Sequence, residues 1–94
     1  MKKEEFMTLD QDSVTVIDIR EAEELEALPC TIPATHMPMG KAFVEAIKGH
    51  LEKDKPVISL CQTGGRCKVL TEQLTKMGYQ ADYLEGGLNA LAEE

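Results

Sequence analysis

The sequence has few basic residues and no long hydrophobic run, and each absence argues against a class of partner. Ten lysines and arginines stand against seventeen aspartates and glutamates, which leaves a net charge of −7. A surface with this charge repels nucleic-acid phosphates and anionic lipids. No apolar stretch approaches the roughly 20 residues of a membrane-spanning helix, and Lys2 and Lys3 are followed by glutamates rather than by a signal-peptide core. We therefore expect a cytoplasmic protein that binds neither nucleic acid nor membrane.

Cysteines are also few, and their number and spacing argue against two structural roles. Cys30, Cys61 and Cys67 are an odd number and too few to cross-link a secreted scaffold. A structural zinc site would require a second short cysteine pair or closely spaced histidines, and the sequence contains neither. We therefore expect a reduced protein without a metal ion or other cofactor, in which each cysteine has either a chemical or a packing role.

The composition is that of a folded chain. Hydrophobic residues make up 43% of the sequence, and glycine and proline together occupy 11 of 94 positions. This is enough apolar material for a core, but a chain of this length has room for only one. We predict that residues 1–94 form a single domain.

The hydrophobic pattern alternates between strands and helices. Apolar and β-branched residues predict strands at residues 14–19, 56–61 and 81–84, with a short edge strand at 34–37. Helices are predicted at residues 21–28, 41–53 and 69–77, and residues 86–91 are predicted to form a turn and one short final helix. This alternation indicates an α/β fold with a small parallel sheet of about four to five strands flanked by helices. Ligands of such folds bind beyond the carboxyl ends of the strands.

One segment with the residue types of a reactive site follows the second predicted strand. It consists of Cys61, Gln62, Thr63, Gly64, Gly65, Arg66 and Cys67. Adjacent glycines allow backbone N–H groups to converge on one centre, and the helix that follows adds its N-terminal amides. Together with the fixed charge of Arg66, these groups favour a thiolate at Cys61 that attacks sulfur, phosphorus or arsenic in an oxyanion. A buried, inert cysteine beside an ordinary turn is the alternative.

Four short motifs, which occur in the family's order along the chain, resemble those of the rhodanese-like (sulfurtransferase) domain family. Cys61-x-x-Gly64-x-Arg66 resembles the family's active-site loop, and it ends a Val-Ile-Ser-Leu strand. The other three are Val16-Ile17-Asp18-Ile19-Arg20 followed by Glu23-Glu24-Leu25, then Ile32-Pro33-Ala34, and finally Leu84-Glu85-Gly86-Gly87. The resemblance spans residues 14–91, which is nearly the whole chain.

The resemblance implies both a fold and a reaction. Cys61 would accept a sulfane sulfur from a donor such as thiosulfate or a persulfide, become a persulfide, and pass the sulfur to a thiol or cyanide. The backbone amides of residues 62–67 would cradle the persulfide, while Arg66 would make the loop rigid or hold an anionic donor. Asp18 and Arg20 would support the site from the neighbouring strand, an exposed ion pair being the alternative. The partners would be a small-molecule or protein sulfur donor and a thiol acceptor.

Several readings stay open beside this one. Cys67 stands where the family usually has serine or alanine, and it is either a resolving thiol or a packed residue of the first helical turn. His36 is a candidate ligand contact, and the acidic run at residues 21–26 is expected to be a solvated helix face. A non-catalytic rhodanese-like binding module is one rival function. A Cys-dependent phosphatase or arsenate reductase is another, although their loops resemble Cys-x5-Arg and only four residues separate Cys61 from Arg66.

Overall fold

A computed structural model of the chain describes residues 1–92, so residues 93–94 of the predicted domain lie outside the described part. Its sheet has four strands, β1 (Thr15–Asp18), β2 (Thr35–His36), β3 (Val57–Leu60) and β4 (Ala81–Tyr83). They run parallel in the order β2-β1-β3-β4. The predicted small parallel α/β sheet is confirmed, and each strand is one or two residues shorter than the pattern suggested.

Residues 1–92 contain five α-helices, which lie between and around these strands. They are α1 (Lys3–Met7), α2 (Ala22–Ala27), α3 (Met39–Ile47), α4 (Gly65–Lys76) and α5 (Gly87–Ala92), with a 3-10 helix at Gln11–Ser13. The prediction of a helix to residue 53 is wrong, because α3 ends at Ile47 and the chain turns through Gly49 at a φ of 75°. Leu51 fits the helical spacing of apolar residues because its side chain is buried in the core. It lies, however, in the segment that follows the helix.

Both faces of the sheet are covered, which explains why its central strands are apolar at consecutive positions. Ile17 and Val57 pack in the cluster formed with α3 and α4, whereas Val16 and Ile58 pack in the cluster formed with α1 and α5. Successive residues of each strand therefore enter opposite cores. Among residues 1–92, no helix is long and apolar enough to cross a bilayer.

The register of the sheet brings the sequence motifs to one edge. Asp18 is paired with Leu60 on β3 and with His36 on β2, so these three strands end at the same level. Cys61 is the first residue after β3, and Arg20 is the second residue after β1, so both lie beyond the carboxyl ends of these strands. The edge at which α/β sheets bind ligands is therefore the edge that carries the predicted site.

Candidate active site

The Cys61 loop, residues 61–67, connects β3 to α4. Cys61 is 1% exposed, and the backbone N–H of Gly64 donates a hydrogen bond to its Sγ at 3.1 Å. Gly64 is the N-cap of α4 and has a φ of 96°, a left-handed conformation that favours glycine. Gly65 has no positive φ and simply begins the helix. One glycine, rather than the predicted pair, therefore curls the loop around the sulfur.

The thiolate form of Cys61 is stabilised mainly by hydrogen bonds from groups without charge. The S–H of Cys67, followed by the backbone amides of Cys67, Gly64 and Thr63, outweighs burial and lowers the pKa of Cys61 to about 5. Arg66 interacts with Cys61 through its charge, but less strongly than these hydrogen bonds do. Cys61 is therefore a thiolate at neutral pH, as the sequence led us to expect, although its main support is Cys67 and the amides rather than Arg66.

The pKa values of the other two cysteines are raised rather than lowered. Cys67 is completely buried in the first turn of α4, as the packing interpretation predicts, and its hydrogen bond to Cys61 together with burial raises its pKa. Burial also raises the pKa of Cys30, whose Sγ lies 3.3 Å from the carbonyl oxygen of Ile32. All three cysteines are free, and Cys61 is the one whose pKa favours a thiolate at neutral pH.

The contact between the two loop cysteines leads to a prediction about titration. Replacing Cys67 with alanine should raise the pKa of Cys61 by about one to two units, because a hydrogen bond to a charged group contributes about 1.5–3 kcal/mol. Cys67→Ser retains a donor and should shift the pKa less. The thiolate absorbance of Cys61 followed against pH measures both shifts, with Cys30→Ser as the control. An unchanged midpoint in Cys67→Ala would show that the amides alone hold the thiolate.

Arg66 forms an ion pair with a residue that the sequence analysis predicted to lie on a solvated helix face. Its Nη1 and Nη2 each lie 2.7 Å from a carboxylate oxygen of Glu24 on α2, 42 residues away in the chain. Both side chains are partly exposed, and the hydrogen bonds from Arg66 lower the pKa of Glu24. The expectation of a wholly solvated acidic face on α2 is wrong at this position. Of the two roles expected for Arg66, the geometry matches the one that makes the loop rigid.

Asp18 and Arg20 form a buried ion pair behind this contact. They are 1% and 0% exposed, so the alternative of an exposed surface pair is wrong. The guanidinium binds both carboxylate oxygens of Asp18, and its Nη1 donates to the carbonyl oxygen of Leu28 at 2.8 Å. Leu28 caps the end of α2, so the pair anchors the helix that presents Glu24 to the loop. His36 lies exposed nearby, with its Nε2 2.7 Å from the carbonyl oxygen of Arg20.

The final helix supports the Cys61 loop from the other side. The N–H of Leu88 donates to the carbonyl oxygen of Cys61 at 2.8 Å, and the N–H of Asn89 donates to that of Gln62 at 3.1 Å. A Cβ at Gly87 would overlap both of these carbonyl groups. This close approach is the physical reason for the closing glycine pair of the fourth motif. The motif marked Gly87, but nothing in the sequence identified the amides of Leu88 and Asn89.

The part of the chain that the structure describes contains no set of metal ligands. Within it, no group of three or more His, Cys, Asp and Glu side chains is arranged to hold a metal ion.

A cysteine held in a short loop at the carboxyl edge of a small parallel sheet defines a class of α/β domains. Comparison with known proteins narrows this class to one family. The sequence matches the rhodanese-like domain family over residues 3–94. It is 37% identical over 87 residues to a tRNA sulfurtransferase of Desulfurococcus amylolyticus, which covers 90% of this chain and 16% of that protein. The chain belongs to the rhodanese-like domain family, as the motifs predicted.

Solved structures agree with this assignment. A rhodanese homologue from Thermus thermophilus has a TM-score of 0.74 and 30% identity, with 96% of each chain covered. A rhodanese-like domain protein from Staphylococcus aureus has a TM-score of 0.80 and 25% identity, covering 100% of this chain and 91% of that one. The chain spans nearly the full length of these two proteins but 16% of the tRNA sulfurtransferase.

Proposed function

We propose that this protein is a sulfurtransferase that carries a sulfane sulfur on Cys61. The observation that carries the proposal is the geometry of Cys61, which follows the carboxyl end of β3 and whose Sγ accepts a hydrogen bond from the backbone N–H of Gly64 at 3.1 Å. A thiol with a pKa of about 5 is ionised at neutral pH without a general base. Membership of the rhodanese-like family supports the same reaction.

The proposed reaction has two steps that need no external oxidant or reductant. The Cys61 thiolate attacks the outer sulfur of the donor, and the donor's S–S bond breaks. With thiosulfate as donor, sulfite leaves with the bonding electrons, and Cys61 becomes a persulfide. Cyanide or a thiolate then attacks the terminal sulfur, and Cys61 leaves as the thiolate. Its low pKa makes Cys61 a good leaving group in this second step.

The proposed partners are a small-molecule or protein sulfur donor and a thiol acceptor. The tRNA sulfurtransferase is matched over only 16% of its length, so we propose the sulfur-carrying step for this chain and no contact with RNA. The net charge of −7 supports that choice, because it opposes binding to phosphate backbones and to anionic membranes. Three unpaired cysteines support a reducing compartment such as the cytoplasm.

Phosphatase chemistry is the rival that the loop geometry disfavours. Gly64 already lies against Sγ, and the guanidinium of Arg66 is bound by Glu24 rather than open to the oxygens of a phosphoryl group. Four residues between Cys61 and Arg66 leave little room for three equatorial oxygens in addition to a nucleophile in line. These features support transfer of a single terminal sulfur.

The corresponding prediction compares the two reactions on one preparation. Thiosulfate or an alkyl persulfide should load Cys61 with the mass of one sulfur atom, whereas an aryl phosphate should show no hydrolysis above background. Intact-protein mass spectrometry and release of the aryl alcohol measure the two outcomes. A variant with one residue inserted between Gly64 and Gly65 controls for loop length and should lose the persulfide. Phosphatase activity with no detectable persulfide would replace this proposal with its rival.

A further inference from the structure

The positive charge of Arg66, in the Cys61 loop, is paired with the negative charge of Glu24. Both guanidinium Nη atoms lie 2.7 Å from the carboxylate oxygens of Glu24, a two-pronged pairing that occupies the end of the side chain. The pairing lowers the pKa of Glu24, so its carboxylate stays ionised at neutral pH. An arriving anion therefore meets an ion pair with no net charge instead of an open guanidinium.

The surroundings add negative charge. Residues 21–38, which lie between Arg20 and the start of α3, contain four glutamates and neither lysine nor arginine. Glu23 and Glu26 of α2 are exposed. The other arginine at this edge, Arg20, is buried and bound to Asp18. Lys68 is exposed on α4, two residues beyond Arg66, and is the nearest lysine in sequence to the loop.

The sulfur chemistry itself does not need an open cation. Cys67 and the loop amides are the main groups that hold the Cys61 thiolate. A change in the net charge of the Arg66–Glu24 pair should therefore chiefly affect the reaction with the donor. It should act most strongly on a donor with two negative charges, because coulombic interaction scales with charge.

We propose that Glu24 determines donor specificity: by neutralising Arg66 it disfavours dianionic donors such as thiosulfate and leaves alkyl persulfides as the preferred donor class. This inference rests on the proposed sulfurtransferase function. With an alkyl persulfide, the Cys61 thiolate attacks the terminal sulfur of RS–SH and the S–S bond breaks. The thiolate RS⁻ leaves with the bonding electrons, and the transferred sulfur keeps its hydrogen in Cys61–S–SH. Glu24 acts through Arg66 and touches no reacting atom.

The test measures kcat/KM in three proteins for thiosulfate, a dianion, and for cysteine persulfide, which has a smaller net negative charge. Glu24→Gln should raise the thiosulfate value about fivefold, the effect expected from one partly exposed charge, and should change the persulfide value less than about twofold. Glu23→Gln is the matched control, because it removes the same charge from the same helix and leaves Arg66 paired. It should change both values less than about twofold.

A second measurement uses the parent protein alone and does not depend on the folding of a variant. Added potassium chloride should raise kcat/KM for thiosulfate, because salt screens repulsion between like charges, and should raise the persulfide value less because that donor has a smaller net charge. The inference is overturned if thiosulfate turns over as well as the persulfide and is slowed by salt, or if Glu23→Gln and Glu24→Gln raise the thiosulfate value equally. Failure of both donors to load Cys61 would instead overturn the proposed function.

Discussion

Replacing Cys61 with serine is expected to abolish sulfur transfer, with a loss of about a thousandfold or more, because the variant has no sulfur on which a persulfide can form. The fold should survive, since serine is nearly the same size and the N–H of Gly64 can donate to a hydroxyl as it does to Sγ. The measurement is thiocyanate formation from thiosulfate and cyanide, combined with the added mass on the protein.

Two comparisons make this result specific. Cys30→Ser should retain activity, because burial raises the pKa of Cys30 and its Sγ contacts a backbone carbonyl rather than the loop. Urea unfolding of Cys61→Ser should stay within about 1 kcal/mol of the parent, as expected for a near-isosteric substitution. Full activity in Cys61→Ser would remove Cys61 from the reaction, whereas a parent protein with no activity towards any sulfur donor would favour the non-catalytic binding module.

Replacing Arg20 with methionine is expected to lower the free energy of unfolding by about 3–5 kcal/mol, because it leaves the carboxylate of Asp18 buried without its partner. Asp18 is 1% exposed, so water cannot replace the guanidinium. Such a loss is a large part of the roughly 5–15 kcal/mol that holds a domain folded. Urea unfolding near neutral pH measures it, and Asp18→Asn combined with Arg20→Met should lose less than Arg20→Met alone.

The same pair gives a pH dependence of definite sign. In the parent, burial acts to raise the pKa of Asp18, but the hydrogen bonds and charge of Arg20 outweigh it and lower the pKa. The contribution of the pair is therefore present above the ordinary carboxyl pKa and is lost as pH falls through the lowered value. In Arg20→Met the backbone N–H of residue 20 and Cys30 still contact Asp18, but the hydrogen bonds and charge of the guanidinium are lost. The pKa of Asp18 should therefore be higher than in the parent, and the destabilisation should shrink between neutral pH and about pH 4. A destabilisation that is constant with pH would show that lost packing, not the carboxylate, is its cause.

Local features of the site were predictable because neighbouring residues produce them. Apolar residues at consecutive positions identified a strand covered on both faces, and Cys61 stands directly after one. The curl could be assigned to the Gly64–Gly65 pair because few other residues adopt a positive φ without strain, and the structure shows that Gly64 is the one that does so. The helical spacing that extended α3 to residue 53 failed for a related reason, since burial of Leu51 imitates the periodicity of a helix.

Contacts between distant segments could not be predicted in the same way. Nothing in the residue types distinguishes Glu24, which binds Arg66, from Glu23 beside it, which is exposed. Nor could the sequence show whether Asp18 and Arg20 were buried or whether Cys67 pointed at Cys61. Each depends on how α2 and α4 pack at the carboxyl edge of the sheet.

The sequence by itself determined the order of strands and helices from β1 to α5, the position of Cys61 at a strand end, and the family, because periodicity and short motifs are properties of adjacent residues. Only the tertiary structure decided that Cys67 and backbone amides, rather than Arg66, are the main support of the thiolate. It also decided that Arg66 is neutralised by Glu24. Hydrogen-bond partners, burial and the resulting pKa depend on distances between atoms far apart in the chain, and packing of the whole sheet and its helices sets those distances.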